Sequence, residues 1–335
     1  MLFVACWASR NLRGPVSALR DVIVGEPHQG GALEAPPVAP SLLPLQGMTR
    51  VLRALPAIYR FRHGAKISTL RLVLYALFGS VASGTFHLGL STLNLVMATT
   101  WLLFASVLND YYDYRLLGEQ NALGIAVASG QLRLRRLWLL ATIPAAASLS
   151  LFGLLWLCPV TRLSLSVWTV VILLGTLYSL PPIRLKERRV FGILTTPVCL
   201  FGLFLESFTL LRLPDPRGWL VAGLVFLFVW YLECLHLVDD SLQPHEFKKA
   251  GTAQAMAWLR RVALLGLFAS LAASVFAPLL LASALAWTLR VRASRRLRVA
   301  DVSLARRNLW HPIWQLEDFV VYGFWGLIRT LSELG

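Results

Sequence analysis

Apolar runs of about 20 residues, separated by short polar and basic stretches, recur along the chain from residue 67 onward. Each is long enough to cross the hydrocarbon core of a bilayer. Lipid offers the backbone no hydrogen-bond partners, so segments of this kind satisfy their own amides by folding into helices. They lack the period-two alternation of a transmembrane barrel. Nine candidate spans follow: about 67–84, 88–108, 137–158, 163–180, 190–211, 218–238, 256–273, 275–291 and 309–331. Pro278 is the only punctuation between the seventh and eighth, and Glu317 and Asp318 interrupt the ninth. The expected fold class is all-α, a polytopic transmembrane helical bundle of about nine spans.

Charge supports the same architecture. Only 15% of the residues are charged and 57% are hydrophobic, with mean hydropathy +0.64, which is far from a soluble domain of this length. The net charge of +15 would suggest nucleic acid if the cations formed a surface stripe. Instead they lie in the links between apolar runs, where they report topology. The expected partner is therefore the lipid bilayer and not nucleic acid, and the oligomeric state is left open. With the first span starting inside, the inner segments 1–66, 109–136, 181–189, 239–261 and 290–307 carry 8, 4, 4, 4 and 7 Lys and Arg. With Arg71, 28 of the 32 basic residues fall on one side, and only Arg162, Arg212, Arg217 and Arg329 fall on the other. Lys and Arg concentrate on the cytoplasmic side of membrane proteins. The chain is thus expected to be a multi-pass protein of a cell inner membrane or an organelle membrane, with those inner loops cytoplasmic. Cys6, Cys158, Cys199 and Cys234 form no CxxC pair and imply neither a disulfide framework nor a zinc site.

Residues 1–47 stand apart. They are rich in Pro, Gly and Ala and hold no spanning segment. They read as a disordered tail, or as sequence upstream of a start at Met48. A transit peptide is the alternative, since Arg10, Arg13 and Arg20 precede the first acid, Asp21. Residues 48–335 form the transmembrane domain.

Three span ends carry the chemistry. The second span closes on Asn109-Asp110-Tyr111-Tyr112-Asp113. Asn109 and Asp113 are four apart and share a helix face. Two oxygen ligands one turn apart suit Mg²⁺, which often bridges to phosphate. A polar helix end flanked by interfacial tyrosines has the same appearance. The fourth span runs into Tyr178-Ser179-Leu180-Pro181-Pro182-Ile183-Arg184-Leu185-Lys186. The paired prolines end the helix. Arg184 and Lys186 then stand at the membrane surface, where they could grip phosphate oxygens or serve as a positive flank. The sixth span carries Glu233 and His236 and ends on Asp239-Asp240. Glu233, His236 and Asp240 share one helix face. Ionisable groups inside a span are costly, which points to a functional cavity.

Taken together, these segments resemble the UbiA superfamily of intramembrane prenyltransferases over roughly residues 50–330. Members have nine helices, an NDxxDxxxD motif after the second span and a second Asp-rich motif after the sixth. Asn109, Asp110 and Asp113 match NDxxD, Ser129-Gly130 matches the SG that ends the first loop, and Tyr178 to Lys186 closely matches YSxPPxRLK. Asp239 falls at the start of the second motif, and Gly251-Thr252 resembles its tail. The resemblance implies Mg²⁺ held by Asn109, Asp110, Asp113, Asp239 and Asp240. It also implies substrate binding by Lys66, Tyr178, Arg184, Lys186, Glu233 and His236, with Lys66, Arg184 and Lys186 neutralising a prenyl diphosphate and Asp113, Asp239 and Lys186 as the catalytic residues. Three positions depart from the pattern: Leu117 stands where the third Asp would be, Ile125 near the Arg that precedes SG, and Gln243 where the second motif has its second Asp. Glu246 is the candidate substitute for that Asp.

The implied reaction is Mg²⁺-dependent transfer of a prenyl group from an allylic diphosphate to a lipophilic, aromatic acceptor in the membrane. A terpene cyclase or diphosphate lyase would keep the fold and change the reaction. A non-catalytic isoprenoid-binding protein would be consistent with Leu117, Ile125 and Gln243. Prenyl length and acceptor identity are not written in the residues. The charge asymmetry makes a topological prediction: single cysteines placed at Ser129, Glu187 and Gln243 should all be labelled from the cytoplasmic side, and labelling of any one only from the opposite side would overturn the span assignment.

Overall fold

A computed structural model describes residues 55–56, 58–59, 69–85, 87–118, 121–130, 132, 134–242 and 251–297. Residues 1–47, Lys66, Gln243, Glu246 and the ninth expected span at 309–331 lie outside the described residues. Within them the regular elements are all helical: α1 (Thr69–Ala82), α2 (Leu88–Leu117), α3 (Ala122–Ala128), α4 (Leu134–Leu155), α5 (Arg162–Ser179), α6 (Arg189–Phe208), α7 (Pro216–Leu242), α8 (Thr252–Phe276) and α9 (Leu281–Arg296). Short 3₁₀ turns at Leu185–Glu187 and Pro278–Leu280 precede α6 and α9.

Six of these helices, α2 and α4 to α8, are long and apolar enough to cross a membrane. The first and eighth expected spans correspond to the shorter α1, of 14 residues, and α9, of 16. The chain is a polytopic transmembrane helical bundle. Its outward faces are apolar, as at Leu139, Ile143, Leu173, Phe268 and Leu285, all exposed. An aqueous surface would make such faces a liability, whereas lipid requires them. Hydroxyl side chains in the helices bond back to the preceding turn, as Thr99 does to the Leu95 carbonyl and Thr169 to that of Leu165. Each thereby satisfies its own polar group where no water is at hand.

The helix ends carry local stop and start chemistry. Thr161 caps α5 by accepting the Ser164 N–H at 3.1 Å, and Asn121 caps α3 by accepting that of Gly124 at 2.8 Å. Gly118 ends α2 at φ 70°, a left-handed conformation that glycine adopts without penalty, and its N–H returns to the Tyr114 carbonyl.

Packing pairs α2 with α4, α1 with α6, α5 with α6, α7 with α8 and α8 with α9. Glycines set the closest approaches. A Cβ at Gly79 of α1 would lie 2.1 Å from the Phe204 carbonyl oxygen of α6, and one at Gly175 of α5 would lie 2.2 Å from the Trp101 ring of α2. Small residues at crossings of this kind let membrane helices meet backbone to backbone. The links alternate between two ends of the bundle. At one end Thr161 donates its hydroxyl to the Thr209 carbonyl at 2.6 Å and its N–H to that of Leu210. At the other end lie the close of α2, the α5–α6 turn and the close of α7.

A polar knot that the sequence reading did not foresee ties α2, α5 and α6 together. Asn94 donates to Glu206 Oε1 at 2.9 Å and to Ser207 Oγ at 2.7 Å, and its own Oδ1 accepts the Trp168 indole N–H at 2.9 Å. Ser207 also donates to Glu206 Oε1 at 2.7 Å. Asn94, Trp168, Glu206 and Ser207 are all buried. Removing Asn94 strands a buried indole N–H and part of a buried carboxyl. Asn94→Leu should therefore lower stability by about 1–3 kcal/mol, read as an earlier unfolding midpoint in detergent, and an unchanged midpoint would mean the knot contributes little.

Candidate active site

The last two turns of α2 bring Asn109, Asp110 and Asp113 to the bundle end where α5 stops. The α5–α6 connection is short because Pro181 and Pro182 end the helix, and the peptide between them is cis. Arg184 follows at φ 36°, a conformation uncommon for any residue with a side chain. The turn is pinned from below by α6. A Cβ at Gly192 would lie 2.4 Å from the Lys186 carbonyl oxygen, so only glycine lets the first turn of α6 press against the 3₁₀ turn that carries Lys186.

This turn folds two cations onto the end of α2. Lys186 Nζ forms an ion pair with Asp113 Oδ1 and donates to Asn109 Oδ1 at 3.2 Å. Arg184 Nη2 reaches the same Asp113 oxygen at 3.4 Å, its Nη1 donates to the Tyr112 carbonyl at 3.4 Å, and its Nε lies 2.9 Å from Glu187 Oε1. Asn109 Nδ2 donates to Asp113 Oδ2 at 2.8 Å, and Ser179 Oγ donates to Asn109 Oδ1 at 2.9 Å. Asp113, Arg184 and Lys186 are 5%, 4% and 6% exposed, so this is a buried cluster and not a solvated surface pair. Ser179 is buried beside them. It belongs to the quoted YSLPPIRLK stretch but was not singled out, since a serine at a helix end has many ordinary uses.

The remaining predicted residues divide. Asp110 is buried, and its carbonyl receives the Asn121 amide at 2.7 Å, which lays α3 across the end of α2. Tyr178 is half-buried on the last turn of α5. Glu233 is buried and His236 half-buried on α7. Asp239 and Asp240 stand in the last turn of the same helix, and their side chains lie outside the described residues. Ser129 ends α3 as an exposed residue, its hydroxyl returning to the Ile125 carbonyl at 2.8 Å. Arg290 was counted among the inner-flank cations, yet it is fully buried in α9. Its guanidinium lies 4.5 Å from the Trp287 ring centroid and 4.6 Å from that of Phe228. Its signal was an Arg within an apolar stretch, which the flank count absorbed.

Asn109 and Asp113 offer oxygen donors one turn apart, which is the chemistry of a hard divalent cation. Mg²⁺ commonly takes one or two side-chain oxygens and completes its shell with phosphate and water. The donor set fits. The difference from expectation lies in Arg184 and Lys186, assigned to phosphate from the sequence: here both meet Asp113, and Lys186 spans the same Asn109–Asp113 oxygen pair.

No protein-family profile matches the chain, and no curated protein sequence matches it significantly. Solved structures do. A UbiA homologue from Archaeoglobus fulgidus bound to DMAPP and Mg²⁺ superposes with a TM-score of 0.57 at 14% identity, covering 84% of this chain and 98% of that one. The structures of a UbiA homologue from the same organism bound to Cd²⁺, and bound to GPP and Mg²⁺, each superpose with a TM-score of 0.56 at 14% identity. The fold is UbiA-like. The likeness spans nearly the whole length of those chains, so it describes the complete bundle and not a shared helix pair. Gly192 offers a test of the site's geometry. Gly192→Ala leaves every charged group in place but forces the Lys186 turn away from α6. It should weaken diphosphate binding about 10-fold or more while the protein still folds, as measured by calorimetry with inorganic diphosphate and Mg²⁺; binding at wild-type strength would show that the turn tolerates displacement.

Proposed function

We propose that this chain is an intramembrane prenyltransferase, moving a prenyl group from an allylic diphosphate to a lipophilic, aromatic acceptor in a Mg²⁺-dependent reaction. The observation that carries the reading is the cluster of buried Asp113, Arg184 and Lys186 with half-buried Asn109 at one end of a UbiA-like bundle. The structural neighbours described with DMAPP, GPP and Mg²⁺ support the choice of substrate class and metal.

Asn109 and Asp113 would hold Mg²⁺, and Asp239 and Asp240, in the last turn of α7, are the further acids the family pattern would assign to it. Bound there, the cation would offset diphosphate charge as the leaving group departs. Arg184 presents a planar fork suited to phosphate oxygens, and Lys186 a mobile point charge. Charge placed in advance where the leaving group's charge grows lowers the barrier to C–O cleavage. The bond breaks with its electron pair leaving on the diphosphate. A ring carbon of the acceptor then attacks the allylic carbon, and the ring loses a proton. Glu233, buried, and His236, half-buried, would add substrate-binding groups from α7. The apolar walls keep out water that would otherwise capture the cation. The motif-bearing loops face the cytoplasm in this reading, as the distribution of basic residues suggests.

A non-catalytic isoprenoid-binding role is favoured by one specific feature, the occupation of the Asn109–Asp113 pair by Lys186 together with Leu117 and Gln243 at expected Asp positions. Diphosphate release separates the two. Asp113→Ala and Asp239→Ala should each lower Mg²⁺-dependent diphosphate release from an allylic diphosphate by about 100-fold or more, with folding retained. Full activity in both variants would refute the metal assignment, and no release by the wild type would favour the binding role. Product mass then distinguishes transfer to an acceptor from cyclisation.

A further inference from the structure

We propose that Lys186 is the resident counter-ion of the Asn109–Asp113 pair, and that the divalent cation and the diphosphate therefore enter the site together, Lys186 passing from Asp113 to the phosphate as they do. The inference rests on the function proposed above and adds an order of binding to it.

Four observations carry it. Lys186 Nζ contacts both oxygens that a cation would use, Asp113 Oδ1 and Asn109 Oδ1. The cluster is buried, so its charges cannot be left to water. Its carboxylate is paired with both cations, Asp113 with Arg184 and with Lys186, while Arg184 also meets the exposed Glu187. Finally, the two cations differ in freedom. Arg184 is a rigid planar fork whose contacts include Asp113, the Tyr112 carbonyl and Glu187. Lys186 has a flexible four-carbon stem and an ammonium with no fixed direction.

A divalent cation arriving alone meets an unfavourable exchange. It must displace a buried ammonium from Asp113 and leave that ammonium beside the incoming positive charge. A diphosphate arriving alone faces the carboxylate. The two together remove both difficulties, because a diphosphate ester carries more negative charge than one Mg²⁺ cancels, and the surplus gives Lys186 a new partner. Arg184 keeps the turn in place during the exchange. The coupling is reciprocal: diphosphate must strengthen cation binding by the factor by which the cation strengthens diphosphate binding.

The test uses the full chain in detergent, with Mn²⁺ as the probe for the cation, followed by the spin-resonance signal of free Mn²⁺, and inorganic diphosphate as the second ligand. For the wild type, Mn²⁺ alone should bind about 10-fold or more weakly than Mn²⁺ with diphosphate present. Lys186→Met removes the ammonium and keeps the stem. It should bind Mn²⁺ alone about 10-fold or more tightly than the wild type and lose most of the coupling. Lys186→Arg keeps the charge and should leave metal-only binding weak. Equal Mn²⁺ affinity with and without diphosphate in the wild type overturns the proposal, and this arm needs no variant to fold. Unchanged or weaker Mn²⁺ binding in Lys186→Met overturns it as well. The functional reading fails separately: if Lys186→Met gains Mn²⁺ affinity as expected but the wild type turns over no allylic diphosphate with any acceptor, Lys186 remains the counter-ion of a binding site and not of an enzyme.

Discussion

A buried carboxylate needs partners in place of water, and for Asp113 these are two cations, from which much of this end of the bundle follows. Asp113 lies on α2, whereas its two cations come from a turn more than seventy residues later. For them to arrive, α5 must end at Ser179, the two prolines must redirect the chain, and Gly192 must let α6 begin hard against the turn. Asn109 completes the arrangement by fixing one Asp113 oxygen while accepting from Ser179 and Lys186. Removing both cations would strand Asp113 in a low-dielectric environment, a far larger loss than an exposed pair would incur.

The apolar body is governed by a different rule. Lipid tails are as hydrophobic as leucine, so burial alone gives membrane helices little reason to associate. Here the association comes from close fit and from a few buried polar groups. Gly79 and Gly175 admit a backbone carbonyl and an indole ring, and Gly266 of α8 does the same for Trp287 of α9. The Asn94–Trp168–Glu206–Ser207 knot adds directional bonds among three helices. These features lie in the body of the bundle, and the Asp113 cluster inherits its rigidity from them.

Much of this was legible in the residues. Span lengths are imposed by bilayer thickness, so eight of the nine expected spans have described helical counterparts, although α2 runs on to Leu117 and α9 starts only at Leu281. The pairing of Asn109 with Asp113 was legible for a similar reason, since four-residue spacing on a helix has one geometric outcome. What was not legible depends on which elements meet. Hydropathy does not say which face of a helix is inward, so Glu206 and Asn94 passed as parts of apolar runs, and Arg290 was counted as a flank although it lies beneath aromatic rings. The assignment of Lys186 to phosphate treated a basic loop as solvated. It did not foresee that the loop would fold back onto a carboxylate before any ligand came.

That fold-back bears on the missing acids. With Leu117 and Gln243 at positions where the family pattern has Asp, this chain presents fewer carboxylates to a diphosphate than the pattern would. Every acid in such a site must be neutralised twice over, once without ligand and once beside a polyanion. A smaller acid set needs less cation in both states, and two basic side chains of the protein then carry a larger share of the balance. On this view the losses at 117 and 243 and the burial of Lys186 and Arg184 are parts of one electrostatic arrangement. On the proposed order of binding, Lys186 rests on Asp113 without a metal and yields that place when the metal brings a diphosphate for it to meet.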